Sequence, residues 1–352
     1  MRNPFRTRLG DGPIPPPPPR PADQIGPLIE ALGDPLIVLD GYHISHANAA
    51  ARALLGQHIV GDYVRLALRH PAATPIVAGD EDGPVELSGL GGHDRLWELT
   101  GGTIRPGIRL LRLTDRSGAR AAERMRVDFV ANASHELRTP LAALIGFIET
   151  LEDANGPEDA EARARFLKIM AGEAQRMQRL IDDLLSLSRI EADRYARPRG
   201  KVDLASIVGV ACGELGVQGG ERIRCDVPKR PVTIEGDAAQ LSQLVQNIVV
   251  NALKYGRPDT PVRVTLTVDA GNARFSVADE GEGIPAEYLP RVTERFYRVD
   301  PGRSRAIGGT GLGLAIVKHI AERHRGELDI ASAPGVGTTV TVTFPLATGE
   351  LS

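Results

Sequence analysis

Between residues 116 and 193 apolar side chains recur at steps of three and four. Val130, Ala133, Leu137, Leu141, Leu144, Ile148 and Leu151 form one stripe; Phe166, Met170, Met177, Leu180, Leu184 and Leu187 form a second. This spacing predicts two long amphipathic helices, one running to about Asp153 and one from about Glu158 to Glu191. The intervening Asn155-Gly156-Pro157 breaks the pattern, so the pair should fold back as an antiparallel hairpin. A lone hairpin leaves part of each stripe uncovered. Association with a second copy into a four-helix bundle covers it, and a homodimer is expected.

The flanking segments have different periods. "PLIVLD" (35–40) reads as a buried strand, Gly41 as a turn, and "ANAAARALLG" (47–56) as a short helix capped by Asn48 and closed by Gly56. "RLWEL" (95–99) and "IRLLRL" (108–113) alternate as strands, with Gly101, Gly102 and Pro106 placed between them. Residues 23–115 resemble a PAS sensory domain, which implies a small antiparallel sheet with a few helices. His43, His46 and Trp97 are pocket candidates there, but paired histidines on a half-exposed strand are more often surface residues, so no ligand is assigned to them. After a linker near 194–202, "VRVTLTV" (262–268), "ARFSVAD" (273–279) and "TTVTVTF" (338–344) alternate with period two, while 237–255 and 311–324 are helical. That mixture predicts a sheet covered on one face by helices, a two-layer α/β sandwich. The fold class is thus multidomain α+β. Its parts are a polyproline tail (1–22), the PAS-like region (23–115), the hairpin (116–193) and the sandwich (200–348).

Composition narrows the function. The 352 residues include 42 Lys plus Arg against 45 Asp plus Glu, a net charge of −3 and no basic footprint for direct nucleic-acid binding. Cys212 and Cys225 have neither disulfide-framework nor zinc-site spacing and read as ordinary thiols of a reducing compartment. No apolar run reaches the length of a membrane span, so a cytoplasmic location is expected, with peripheral association to a membrane partner allowed.

The chemistry concentrates in "FVANASHELRTPL" (129–141). At 100° per residue His135 lies about 155° from the centre of its helix's apolar stripe, facing water. Glu136 follows it, and a carboxylate near an imidazole can fix the tautomer and take up a proton while the other ring nitrogen attacks an electrophile. Pro140 removes the backbone donor for the carbonyl of Glu136 and is expected to loosen or bend the helix. Thr139, one turn after His135, is placed to position a water. Two glycine-rich stretches, "DEGEGIP" (279–285) and "GGTGLGL" (308–314), fit neither a Walker A loop nor the dinucleotide fingerprint, yet together suit a nucleotide. Asp279 ends a strand, ready to accept from an adenine amino group. Gly281 and Gly283 allow close backbone approach, and the second stretch (Gly309, Thr310, Gly311, Leu312, Gly313) opens a helix whose N-terminus favours phosphate. Asn247 and Asn251, four apart, suit a Mg²⁺ that bridges phosphates, with Lys254 one turn on as a point charge.

"SHELRTPL", "QNIVVNALKYG", "DEGEGIP", "ERFYRVD" and "GGTGLGLAIVKHI" resemble, in order, the five motif boxes of sensor histidine kinases across residues 120–346. Longer stretches resemble the phosphate-regulon sensor group. The resemblance implies a C-terminal ATPase fold of the GHKL type and autophosphorylation of His135 by ATP. The phosphoryl group would then pass to an aspartate of a response regulator, PhoB-like for this group, and a phosphatase activity would act on that regulator. Position by position it implies Glu136 as base, Thr139 in the phosphatase reaction, and Asn247 and Asn251 for Mg²⁺. Asp279 would read adenine with Tyr255 and Ile284 lining its pocket, and Lys254, Arg298 and Arg305 would be phosphate partners. Many relatives carry membrane helices and this chain shows none, so a membrane transporter or adaptor is one source of the signal. An ATPase clamp of the chaperone or mismatch-repair type, a non-catalytic ATP-binding module, and a kinase for another stimulus are the alternatives.

Overall fold

The structure is a computed structural model that describes residues 21–92, 95–153, 159–192, 198–219, 222–300, 302 and 308–347. Most of the polyproline tail lies outside them. The chain divides into two compact units, Met1–Asp128 and Phe129–Ser352.

In the first unit, strands β1 (Leu36–Asp40), β2 (His43–Ala47), β3 (Val85–Ser88), β4 (Leu96–Arg105) and β5 (Ile108–Asp115) form an antiparallel sheet in the order β2-β1-β5-β4-β3. A helix that the sequence reading did not anticipate, α1 (Pro21–Glu30), precedes it, and α2 (Ala49–Leu55), α3 (Val64–Ala67) and α4 (Thr74–Ala78) lie between β2 and β3. The expected small antiparallel sheet is present, but the glycines are not between strands. β4 runs through Gly101 and Gly102 to Arg105, and the turn is at Pro106-Gly107. A Cβ on Gly101 would come within 2.8 Å of the Ile76 side chain on α4, so glycine is required inside the strand by helix packing. Trp97 is buried and donates its indole N–H to the Leu90 carbonyl (2.9 Å), while His43 meets Tyr63 edge-on.

Asn48 caps α2 as expected and does more. Fully buried, its Oδ1 accepts from the N–H groups of Ala51 and Leu36, and its Nδ2 donates toward the carbonyls of Ile29, Leu32 and Asp34. One amide thus satisfies the ends of α1, β1 and α2.

The second unit opens with the hairpin. α5 (Ser117–Asp153) begins in the first unit and continues unbroken through Pro140; α6 (Ala160–Ala192) returns. The sandwich follows. Strands β7 (Ile223–Asp226), β9 (Val262–Asp269), β10 (Asn272–Asp279), β11 (Glu327–Ala333) and β12 (Gly337–Pro345) form a sheet ordered β11-β12-β10-β9-β7, with only the β7–β9 pair parallel. A separate ribbon pairs β6 (Lys201–Asp203) with β8 (Thr233–Glu235). The period-two segments bury Val264, Phe275, Val277, Val342 and Phe344 on one face, beneath α7 (Leu204–Gly219), α8 (Ala238–Tyr255) and α9 (Gly313–Arg323). At the β9–β10 turn Ala270 and Gly271 both take positive φ, the mirror-image geometry that matches strand twist.

Part of the hairpin stripe is covered within the chain: Leu180, Leu187 and Ile190 of α6 are buried in the same core as the sandwich, with Phe129, Leu137 and Leu184 packed against them. Val130, Leu141, Ile145 and Ile148 on α5, and Leu167, Ile181 and Leu185 on α6, remain exposed. Cys212 on α7 is a buried free thiol and Cys225 on β7 an exposed one; burial first, then the neighbouring Cys225, raises the Cys212 pKa.

His324 closes the sandwich. It is buried, its Nε2 accepts from the Asp237 N–H (3.0 Å) and its Nδ1 therefore carries the proton toward the Ile320 carbonyl (2.8 Å). Asp237 in turn caps α8 through the N–H groups of Ala239 and Gln240. Burial holds the folded His324 pKa below 6.5, so the unfolded chain binds a proton that the folded one refuses. Stability is full above that value and falls as pH drops through it. Thermal unfolding followed between pH 7.5 and 5.5 should show a declining midpoint, with a shallower decline in His324→Gln. Separately, Asn48→Ala should cost about 2–4 kcal/mol in denaturant titration of the first unit, since five backbone groups lose their shared partner.

Candidate nucleotide site and phospho-acceptor helix

A cavity of about 490 Å³ opens between α8, the ends of β10 and β12, and the segment leading into α9. Asn247, Asn251, Lys254 and Tyr255 come from α8 and Asp279 from the tip of β10. Gly283 and Ile284 follow that tip, and Arg298, Gly309, Thr310, Gly311 and Gly313 come from the chain entering α9. The α8 residues share one face at a spacing of three or four, as the sequence required. Gly313, the first residue of α9, lies against the asparagines, its Cβ position 3.3 Å from Asn247 Oδ1 and 3.6 Å from Asn251 Nδ2. The unpaired N–H groups of an eleven-residue helix therefore start beside two amides, an arrangement suited to phosphate.

Asp279 stands half-buried, and desolvation raises its pKa although the N–H groups of Gly281 (2.8 Å) and Thr338 (3.3 Å) oppose the shift. Both bonds fall on Oδ1; among the described residues Oδ2 takes none, which leaves it for an amino donor. Gly281 and Leu312 are off the cavity. A Cβ on Gly281 would meet the Tyr255 carbonyl oxygen at 2.3 Å, so its glycine permits chain-to-chain packing behind the site. Leu312 is fully buried in the core and anchors the start of α9. Gly283 has φ +71°, and its Cβ position is 2.0 Å from the Ala333 carbonyl oxygen. Arg305 lies outside the described residues.

Asn247 Nδ2 is buried without a partner among the described residues, a donor that a bound ligand would satisfy. Amide oxygens from Asn247 and Asn251 are ligands of the kind that a hard cation held mostly by phosphates and water would take. No group of three or more His, Cys, Asp or Glu that could hold a metal occurs among the described residues.

His135 is exposed on α5, as its phase predicted. Thr139 Oγ1 donates to the His135 carbonyl (3.2 Å). Glu136 faces elsewhere: its Oε2 accepts from Arg298 Nη2 at 2.8 Å and lies 3.4 Å from Arg176 Nη2 on α6. Consecutive helical residues point about 100° apart, so a carboxylate at 136 reaches the lobe more readily than the ring at 135. Arg298, with a side chain only 6% exposed, also donates to the Thr310 carbonyl (2.9 Å).

The hairpin itself walls the cavity, which no pattern in the sequence announced. Arg179, Asp182 and Asp183 of α6 line it, and Thr310 Oγ1 donates to Asp183 Oδ2 at 2.8 Å. Desolvation is the largest cause of the raised Asp183 pKa and of the lowered Lys254 pKa. Nearby, Ser186 donates to Gln243 (2.7 Å), and Arg295 pairs with Glu191, to which His319 Nε2 lies at 3.3 Å.

A helix N-terminus facing amides on a neighbouring helix suits the phosphates of a nucleotide, and the adjoining helix exposes a histidine. Residues 125–193 match the His Kinase A (phospho-acceptor) domain and residues 236–348 the histidine kinase-, DNA gyrase B- and HSP90-like ATPase domain. Over 332 residues the chain is 39% identical to the phosphate regulon sensor protein PhoR of Pseudomonas aeruginosa, a match that spans 92% of this chain and 74% of that protein. It is 41% identical over 231 residues to the probable sensor histidine kinase TcrY of Mycobacterium tuberculosis (65% of this chain, 48% of that protein). It is 37% identical over 237 residues to the sensor protein kinase WalK of Staphylococcus aureus (66% and 57%). The chain belongs to the sensor histidine kinases.

The backbone at Gly283 gives a direct check on the site. Gly283→Ala forces a side chain into the left-handed region, a cost of about 1–3 kcal/mol, and against a carbonyl that cannot yield. Equilibrium titration should show ATP binding lost or severely weakened, and the unfolding midpoint lowered.

Proposed function

We propose that this kinase serves phosphate-regulon signalling: ATP held in the cavity phosphorylates His135, and the phosphoryl group passes to an aspartate of a cognate, PhoB-like response regulator. The carrying observation is the meeting of the α9 N-terminus with Asn247 and Asn251, on a lobe packed against the helix that exposes His135. The phosphate assignment is supported by the similarity to PhoR across 92% of the chain.

In the proposed step an imidazole nitrogen of His135 attacks the terminal phosphorus. A P–N bond forms, the bond to the bridging oxygen breaks, ADP departs, and Glu136 receives the ring proton. Asp279 Oδ2 accepts from the adenine amino group, with Tyr255 and Ile284 against the ring. Lys254 and the α9 N-terminus hold phosphate oxygens, and Asn247 and Asn251 would hold Mg²⁺, which neutralises phosphate charge when bound. Arg298 is a phosphate partner once it leaves Glu136. Thr139 positions water for dephosphorylation of the regulator. His135 is not on the cavity wall, so the lobe must move on the hairpin for the transfer to occur.

The exposed apolar residues of α5 and α6 support a homodimer through a four-helix bundle. The antiparallel sheet of the first unit supports a PAS-like sensory role. Among the described residues no helix is long and apolar enough to cross a membrane.

Incubation with labelled ATP should give acid-labile label on the chain. Label should be absent from His135→Gln, which should still bind ATP, and from Asn251→Ala, which should not. Label that persists in His135→Gln overturns the assignment, and release of free phosphate undiminished in that variant would favour an ATPase clamp. Transfer profiling against the regulators of the source organism tests the phosphate assignment.

A further inference from the structure

Asp183 has no part in the transfer just described, yet its carboxylate sits in the cavity. It takes the hydroxyl of Thr310, three residues before the start of α9, at 2.8 Å. Lys254 is close enough to feel its charge, and Arg179, one turn earlier on α6, packs against Gly308, with Nη2 3.2 Å from that glycine's Cβ position. A half-buried carboxylate bound by a hydroxyl, facing a lysine and an arginine at the mouth of a helix, has the chemistry of a bound phosphate.

We propose that Asp183 is an internal phosphate mimic: the hairpin inserts its carboxylate at the phosphate end of the nucleotide cavity, so that docking of α6 on the lobe and loading of a triphosphate oppose each other. The inference rests on the nucleotide reading of the cavity and adds to it a residue from outside the ATPase domain. Two features argue for competition rather than assistance. A triphosphate brings more negative charge to the groups Asp183 now uses, and two anions in one desolvated pocket repel strongly. The raised pKa of Asp183 and the lowered pKa of Lys254, both caused first by burial, indicate that the docked arrangement desolvates charges it does not fully pair. ATP therefore does more than occupy the lobe: by displacing Asp183 it removes one of the contacts that keep the lobe away from His135.

The test is equilibrium binding of ATP and of adenosine to the full chain, to Asp183→Asn and to Asp183→Ala. With a charge-assisted contact removed, ATP should bind about tenfold more tightly to both variants, while adenosine, which lacks phosphate, should bind as before. Unchanged or weaker ATP binding in two folded variants overturns the inference, as does an equal gain for adenosine, which would report general opening of the pocket. Those outcomes leave the nucleotide reading intact. Failure of every chain to bind ATP would instead remove that reading, and this inference with it.

Discussion

Three carboxylates on the hairpin hold the ATP-binding lobe in place: Glu136 on Arg298, Asp183 on Thr310, and Glu191 on Arg295. They ring an apolar contact in which Leu180, Leu187 and Ile190 of α6 complete the core of the sandwich. The two kinds of contact do different work. Burial of each large aliphatic side chain contributes about 1.5–3 kcal/mol and has no preferred angle, so it keeps the lobe near the hairpin without fixing its pose. The polar contacts are directional, and their carboxylates stay partly exposed, so each can be exchanged for another partner. A lobe that must be retained yet must move is well served by that division.

The same logic explains which polar groups are buried for good. Asn48 and His324 lie at junctions of several elements, and every donor or acceptor they present is matched by backbone. Removing either leaves groups that no rearrangement can satisfy, so they stiffen the units that contain them. The groups at the nucleotide cavity are left incomplete. Asn247 Nδ2 and Arg298 Nε are buried without partners among the described residues, and Asp183 and Lys254 both have pKa values pushed toward neutrality. Unmet demand at a cavity is the mark of a site built for a ligand; met demand at a junction is the mark of a scaffold.

How much of this was legible in the sequence follows from the range of the interactions. Local periodicity located the hairpin, the period-two strands, the cap at Asn48 and the outward phase of His135, because each depends on residues a few positions apart. It also brought Asn247, Asn251, Lys254 and Asp279 to one cavity. It did not show that Gly281 and Leu312 lie off the cavity, since a glycine-rich stretch serves packing as well as ligands and the Tyr255 carbonyl that crowds Gly281 belongs to another element. It placed Gly101 in a turn because the Ile76 side chain that demands glycine there belongs to another element. It missed Asp183 and Arg179 altogether. Their partners lie more than seventy residues away, and on a helical wheel both are plain exposed charges.

Glu136 shows why that long-range layer matters most for mechanism. Adjacent to His135 in sequence, it looked committed to the imidazole, but neighbours on a helix do not face one another, and its carboxylate is taken by Arg298 and Arg176. On the proposed mechanism the base is thus held by the same arginine that a phosphate would claim. The Nε of Arg298 has no partner among the described residues, and a phosphate would offer the guanidinium two oxygens. When Arg298 leaves, the Glu136 carboxylate loses its principal partner at the moment the phosphoryl group has a holder. Loading of the donor and release of the base then become a single exchange of partners at one guanidinium, which couples the two without any signal passing through the core.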